Sequence, residues 1–565
     1  MIKKEILHLL QKATKKLGID PADVILEHPM NSEFGDYTTN VALRASKKLK
    51  KNPIDLATSI IGTIPSNPII KKAEVVKPGF INIWINEPKL IEETLQIANS
   101  TIDIDPCLFG KSNKIVIEFA HPNTHKLFHI GHLRNITTGE SLARILQAAG
   151  NKVVRVNYQG DVGLHIAKCV WQLQRTLQND DDTTFKDKKL SEKIGLLGKA
   201  YAEGNKAYET DEIAKKEIIE INRKIYQEDP SVIDLWQETR KWSLDYFQKI
   251  YLRVYTHFDH LYFESEQSKR ALEIVSAAIK KGILEKSKGA IIFNGEKYGL
   301  HTRVFVNSIG IATYEGKDLG LAEKEFGDYG EIDKCMHIVG PEQSEYFKVV
   351  FKVQELLDPD KYKDKQMHLV YGWVKLKHGK MSSRSGNVVE GEWLIDETKK
   401  KILEKFKSSE ETAETLAVAA VKYSFLKNSV KNETVFDFDE SISLEGNSAA
   451  YLMYTFVRAS SILRQNKTPI LKPEEMNLRS EELDLLRFVR QYPDIVHTSA
   501  KTLSPNVIST YLFTLAHNYN FFYQKLPILK APEDSRALRL LLTQSVQTIL
   551  KNGLYLLGIE TVEKM

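Results

Sequence analysis

At 565 residues the chain has room for about three or four domains and a large core, and its hydrophobic (42%) and charged (27%) fractions exclude a disordered or collagen-like chain. The 79 basic and 74 acidic residues leave a net charge of +5, too small to name a partner, so polyanion binding has to be argued from local patches such as "RASKKLKK". Cys107, Cys169 and Cys335 form no CxxC pair, which argues against a disulfide framework or a cysteine-based structural zinc and for a reducing compartment.

The opening "MIKKEILHLLQKATKKLG" has the pattern of an amphipathic helix, without the apolar core of a secretory signal. No later run approaches the ~18 uncharged apolar residues of a membrane span, so a cytoplasmic protein without membrane contact is expected. Helical patterns flank "NSEFGDYTTNVALRASKKL", and "AEVVKPGFINIWIN" reads as two strands around a Pro-Gly turn. Residues 1–105 are thus expected to form a small α+β unit, with "NSTIDIDPCLFGKSN" as its linker.

From about residue 106 the pattern changes. "KIVIEF" is a buried strand, "LRNITTGESLARILQAAG" a helix ending at Gly150, and "KVVRVNYQGDVG" another strand. Strand–helix–strand alternation predicts a Rossmann-like parallel sheet over 106–435. Charged helices and the loop "QNDDDTTFKDKK" interrupt it over about 172–290, which reads as a helical insertion. Alternation resumes with "GAIIFN", "KCMHIVGPEQ" and "MHLVYGWVKL". Residues 436–565 read as helical throughout. The expected fold class is therefore α/β multidomain with an all-α C-terminal domain.

The chemistry concentrates in "EFAHPNTHKLFHIGHLRN", residues 118–135, where four histidines follow a strand and open a helix. His121, His125 and His129 have the spacing of metal ligands on a helix, but Pro122 opposes a continuous helix and no HExxH accompanies them. Buried structural histidines are the plain alternative. A nucleotide site fits the position better: helix N-termini attract phosphate, and ligands of open α/β sheets bind beyond the strands' carboxyl ends. Gly131 would let a flat base approach the backbone, while His129 and His132 would donate to phosphate oxygens. A second, cationic phosphate site is then required. "KLKHGKMSSRSGNVV" offers one in Lys380, Ser382, Ser383 and Arg384, with Met381 among them, a loop over 379–387.

"HIGH" at 129–132 and "KMSSR" at 380–384 resemble the two signatures of class I aminoacyl-tRNA synthetases, and the details are similar to the arginyl-tRNA synthetase family. "FGDYTTNVA" resembles its N-terminal tRNA-binding domain. "NYQGDVG", "ATYEGKDLG", "VGPEQSEYFK" and "SLEGNSAAYLMYTFVR" follow in that family's order, and "AHNYNFFYQKLPIL" and "LYLLGIETVEKM" resemble its anticodon-binding domain. The resemblance implies an ATP-dependent ligase, with Mg2+ accompanying ATP and no structural zinc. It would make arginyl-adenylate and pass arginine to the 3′ end of tRNA(Arg), with activation awaiting bound tRNA. It further implies a monomer, with His129, His132 and Lys380 as catalytic groups.

By the same resemblance, Tyr314 and Asp318, helped by Glu264, would face the guanidinium of arginine. Asn123, Gln343 and Glu118 would hold its α-amino end, and Phe34, Tyr519 and Tyr523 would contact tRNA. Val162 stands where that family usually has tryptophan, and His121 replaces a small residue. A synthetase for another amino acid, or a tRNA-binding paralogue without catalysis, are the competing readings.

Overall fold

The computed structural model describes residues 2–29, 32–100, 112–179, 187–377, 389–466 and 478–565. The N-terminal unit is built as its pattern predicts. Helices α2 (Val41–Leu49) and α3 (Pro53–Thr63) pack on an antiparallel sheet of β1 (Tyr37–Thr39), β2 (Ile70–Val76) and β3 (Phe80–Ile85), in the order β1-β3-β2, with α1 (Ile2–Lys16) against α3 and α4 (Glu87–Ala98) facing the C-terminal helices. In α1, Ile2, Ile6, Leu10 and Ala13 recur at three- and four-residue spacing and are buried, which gives one apolar stripe.

The centre of the molecule is a five-stranded parallel sheet, ordered β11-β10-β4-β5-β6. Its strands are β4 (Lys114–Glu118), β5 (Lys152–Gln159), β6 (His260–Phe263), β10 (Lys334–Val339) and β11 (Gln366–Val370). Helix α5 (Ile130–Ala148) crosses from β4 to β5 and is buried on nearly every side, so its polar residues need internal partners. Glu140 accepts from Arg144 Nε (2.7 Å), Arg155 Nε (3.0 Å) and Thr256 Oγ1 (2.7 Å).

After β5 come α6 (Leu164–Asn179), α7 (Leu190–Thr210), α8 (Glu212–Tyr226) and α9 (Ile233–Arg253). The expected insertion over 172–290 is too long at its C-terminal end. β6 rejoins the central sheet, pairing parallel with β5 from Val156↔His260 to Gln159↔Phe263. Four residues between charged helices carry too little periodicity to be read as a strand. Helix α10 (Glu264–Lys280) follows. "GAIIFN" does not resume the parallel sheet either: β8 (Ala290–Phe293) lies between β7 (Glu285–Ser287) and β9 (Arg303–Val306) in a separate antiparallel sheet.

Helices α11 (Tyr314–Tyr329), α12 (Ser344–Leu357) and α13 (Pro359–Tyr362) cover the central sheet between its last strands. β12 (Val374–Leu376) then pairs parallel with β13 (Thr434–Phe436) across α14 (Gly391–Phe406) and α15 (Glu410–Leu426). Beyond Phe436 the described residues are helical: α16 (Phe438–Ser441), α17 (Ala449–Gln465), α18 (Ser480–Val489), α19 (Tyr492–Thr502), α20 (Pro505–Lys525) and α21 (Glu533–Leu556). No helix of the described residues is long and apolar enough to cross a membrane.

These helices bind both other regions. Ser141 Oγ and Arg144 Nη1 of α5 donate to the carbonyls of Leu556 and Tyr555. On the N-terminal unit, buried Arg490 reaches Tyr37 Oη (2.8 Å), Glu93 (3.3 Å) and Asp36 (3.7 Å). Ser545 and Thr548 of α21 donate to carbonyls of Thr94 and Ala98.

Candidate active site

The site opens where β4 ends. Ala120, His121 and His125 all have positive φ, so the chain turns irregularly through "AHPNTH" instead of continuing as a helix. His125 is fully buried, its Nδ1 3.0 Å from Thr124 Oγ1 and its Nε2 2.7 Å from Thr239 Oγ1. Burial, aided by Arg240, lowers its pKa to about 3. It is a structural histidine, and the three-histidine metal reading fails because both its nitrogens are taken.

His129 is the N-cap of α5. Its Nδ1 accepts from the N–H groups of Gly131 (3.1 Å) and His132 (3.4 Å), and His132 Nδ1 accepts from the N–H of His129 (3.2 Å). Each Nδ1 therefore acts as acceptor, which assigns the ring proton of both neutral imidazoles to Nε2. The rings stack with centroids 3.6 Å apart. Burial, followed by the charge of Lys126, lowers His129 to about 4, and burial with His129 beside it holds His132 well below the usual imidazole value. The pair presents two uncharged N–H donors at a helix N-terminus, where partial positive charge gathers. Gly131 has a different reason than expected: a Cβ there would stand 2.9 Å from the His129 ring, so the capping imidazole itself demands glycine.

The KMSSR segment, with Lys380, Met381, Ser382 and Ser383, lies outside the described residues. Its two flanks are fixed. Lys377 N–H donates to Phe436, and on the return Ile130 N–H donates to Val389 (2.9 Å) while Gly391 N–H donates to Phe128 (2.9 Å). The return flank, from Val389 to Gly391, thus meets the HIGH turn at the start of α5.

The opposite wall is acidic. Glu264 opens α10 buried and pairs with Lys317 Nζ at 2.7 Å; Lys317 also donates to Tyr226 Oη at 3.0 Å. Burial works against the ammonium, but Glu264 and Tyr226 keep Lys317 charged. Asp318 receives the Tyr346 hydroxyl at 2.6 Å and has no cation within ion-pair distance among the described residues. Its pKa is lifted to about 8, chiefly by burial; the Tyr346 bond pulls it down and Glu118 pushes it up. Tyr158 was missed in the sequence. Its buried hydroxyl has no hydrogen-bond partner among the described residues, and burial together with Glu264, Asp318, Glu118 and Asp161 holds its proton well above the usual phenol value. It marks the point on which these carboxylates converge. "NYQGDVG" contains it, but an aromatic in a strand normally signals core.

Asn123 and Glu264 are brought together across Gly160, where a Cβ would collide with Asn123 Oδ1 and stand 3.2 Å from Glu264 Oε1. Glu118 is buried at the end of β4, with its Oε1 3.3 Å from His337 Nδ1 and 3.6 Å from His121 Nδ1. Burial alone would raise its pKa, yet His337 and then His121 bring it below normal. Gln343 sits past the carboxyl end of β10, half-buried, ahead of α12. Tyr314 begins α11 and is 54% exposed, one turn before Asp318 and with Lys317 5.3 Å from its ring centroid. Val162 packs in the apolar cluster of the inserted helices together with Trp236, whose Nε1 donates to Asp161 O at 2.8 Å. An indole from α9 covers the turn where the sequence has lost one.

Among the aromatics expected at tRNA, Phe34 and Tyr523 are exposed, and Arg458 stacks 4.9 Å from the Tyr523 ring centroid and 4.6 Å from that of Tyr454. Tyr519 is a correction. It is fully buried in α20 with its hydroxyl donating to Thr543, because an inward position on that helix places it against α21. No nucleic acid can reach it.

Residues 104–438 match the family described as "tRNA synthetases class I (R), catalytic domain", residues 452–565 the "DALR anticodon binding domain" and residues 1–85 the "Arginyl tRNA synthetase N terminal domain". The chain is 33% identical to the arginine–tRNA ligase of Bdellovibrio bacteriovorus, over 96% of this chain and 94% of that one. It is 29% identical to that of Fusobacterium nucleatum, over 100% and 99%. Among solved structures, Thermus thermophilus arginyl-tRNA synthetase superposes with a TM-score of 0.84 at 24% identity, covering all of both chains. The Plasmodium falciparum enzyme gives 0.81 at 22%, covering 100% of this chain and 99% of its own. At these identities the superpositions speak for the fold.

Proposed function

Because this chain belongs to the class I arginyl-tRNA synthetases and is an arginine–tRNA ligase, we propose how its residues divide the reaction. Asp318 carries the reading: a deeply set carboxylate that lacks a cation partner among the described residues while its neighbour Glu264 has Lys317. A guanidinium supplies the missing charge and, being planar with five N–H donors, can also face Tyr314. Asn123, Gln343 and Glu118 take the α-amino end. At the far side, the Nε2–H groups of His129 and His132 donate to ATP phosphate oxygens, and Lys380 with Met381, Ser382 and Ser383 closes over the departing pyrophosphate. Mg2+ enters with ATP as part of that substrate.

In the first step the arginine carboxylate attacks the α-phosphorus, the bond to the bridging oxygen breaks, and pyrophosphate leaves with that electron pair. In the second, a ribose hydroxyl of the terminal adenosine attacks the arginyl carbonyl carbon and AMP departs. Neutral imidazole donors suit this chemistry, since they stabilise charge as it spreads without having to lose a proton. Most of the remaining rate comes from holding the two substrates in line.

We further propose that activation waits for tRNA. Support lies in connectivity: the helical C-terminal region is bonded directly to α5, whose first residues carry the HIGH histidines, and the return of the KMSSR segment is tied to the same turn. A ligand gripping Tyr523, Arg458 and, on the N-terminal unit, Phe34 can bias that arrangement if it binds the assembled state better. Domain limits near 105 and 435, a monomeric state and a cytoplasmic location complete the reading. The test is aminoacylation of total tRNA with each amino acid in turn, together with arginine-dependent exchange of pyrophosphate into ATP. Esterification of arginine alone is expected, with exchange very slow until tRNA(Arg) is added. Rapid exchange without tRNA would overturn the tRNA requirement, and no esterification would favour a tRNA-binding paralogue.

A further inference from the structure

The carboxylate that awaits the guanidinium is itself held by a residue outside the set assigned to the substrates. Tyr346 lies buried in the first turn of α12, and its hydroxyl donates to Asp318 Oδ2 at 2.6 Å. Two turns on, Gln354 Nε2 of the same helix donates to the Asp318 carbonyl at 3.3 Å. Residues eight apart stand on one helix face, so α12 braces Asp318 at its backbone and its side chain together. The other carboxylate oxygen, Oδ1, accepts no hydrogen bond among the described residues, and Asp318 as a whole is half-buried.

The phenol has its own support. The Arg303 guanidinium lies 5.6 Å from the centroid of its ring, and Arg303 pairs in turn with Glu315 at 3.2 Å. A cation over an aromatic face is attracted by the ring quadrupole, which helps to fix the plane from which the hydroxyl projects. Burial, followed by Asp318 itself, holds the phenol proton well above its usual value, so Tyr346 remains a donor wherever Asp318 titrates. Glu118 of β4, Tyr158 of β5, Glu264 of α10 and His337 of β10 also face Asp318. The two carboxylates oppose its charge and His337 favours it. Lys317, the preceding residue, is committed to Glu264 and Tyr226. Among the described residues only Tyr346 donates to the Asp318 carboxylate.

We propose that Tyr346 is a positioning residue for arginine recognition: its hydroxyl ties down Oδ2 and favours the carboxylate over the acid, leaving Oδ1 to the substrate guanidinium. The inference rests on the reading that Asp318 receives that group. A hydrogen bond donated to a carboxylate stabilises its ionised form selectively. Without the bond the acid form persists to higher pH, and it carries a proton where the guanidinium, a donor only, needs a lone pair. An aromatic early in an apolar helix reads as core, which hid the role in the sequence.

The test is Tyr346→Phe in the full-length chain, which keeps the ring beneath Arg303 and deletes only the donor. Isothermal titration gives the arginine affinity of both proteins from pH 6 to 10, and their ratio cancels the titration of arginine's own α-amino group. Below about pH 8 the variant should bind arginine about 10–100-fold more weakly, the worth of one hydrogen bond to a charged group. Above that pH the deficit should narrow, because the native affinity has levelled off while that of the variant still climbs toward about pH 9–10. ATP affinity should be the same in both. A ratio of one throughout, an equal deficit at every pH, or a parallel loss of ATP binding would overturn the assignment, the last two because they report altered shape alone. A native affinity that stays flat from pH 6 to 8 would instead unseat Asp318 as the receptor, and the role of Tyr346 with it.

Discussion

The two ends of the cleft hold histidines in opposite states. At the phosphate end, backbone N–H groups donate to the Nδ1 atoms of His129 and His132, and burial keeps both rings neutral. At the acidic end burial also disfavours charge on His337, but Glu118 at 3.3 Å raises its pKa well above normal. Residue type is the same at both ends; the neighbour decides. Where the partner is a backbone donor the imidazole becomes a fixed neutral donor, and where it is a carboxylate the imidazole becomes a counter-charge.

The sharpest break of this contrast is Asp318→Asn. It keeps the shape of the acidic end but removes the charge awaiting the guanidinium. The arginine kcat/KM should fall by the equivalent of about 2–5 kcal/mol, the scale for stripping one partner from a desolvated charge pair, with the KM for ATP nearly unchanged. Steady-state charging kinetics in both substrates would reveal an unaltered arginine dependence and so move recognition to Glu264.

His132→Ala comes next. Loss of one Nε2–H donor should cost about 2–4 kcal/mol in the activation step, with arginine affinity unaffected. Single-turnover adenylate formation in the presence of tRNA is the measurement. Equal rates at saturating ATP would show that the stacked pair serves only as a helix cap.

The two ends should also part in their pH dependence. With its pKa at about 8 in the free site, against about 3.9 for an unfolded aspartate, Asp318 takes up a proton on folding between those values. Its contribution to stability is therefore greatest below about pH 4 and is lost as pH rises toward 8. A guanidinium needs the ionised form, so arginine affinity should increase up to tenfold per unit from pH 6 to 8 and then level off. Stabilisation by arginine in thermal unfolding should grow over the same range. His129, which charges only near pH 4, should leave ATP binding flat there.

The smallest expected effect is at Tyr158. Tyr158→Phe removes a hydroxyl that lacks a partner among the described residues, so thermal stability should be unchanged or slightly higher. If the hydroxyl meets substrate, arginine affinity should drop by about 0.5–1.5 kcal/mol, the worth of one ordinary hydrogen bond. Isothermal titration with arginine would separate these outcomes.

The sequence by itself determined a good deal. Alternating apolar strands and helices with clear stop signals specified the α/β class, the N-terminal hairpin and the helical C-terminus, because each follows from local periodicity. The HIGH turn was legible for the same reason, since capping residues act on backbone one to three positions away. Only the tertiary structure decided the rest. The four-residue strand β6 exists because β5 offers it an edge, and Tyr519 is core because α21 packs over it. Tyr158, Glu264 and Asp318 come from three separate elements, so nothing in their spacing announces that their electrostatics are shared. Asp318 is a common surface residue type until burial and two neighbouring carboxylates, against the pull of one phenol, lift its pKa to about 8. Charge in a site is set by distances through space, and those depend on which elements pack together.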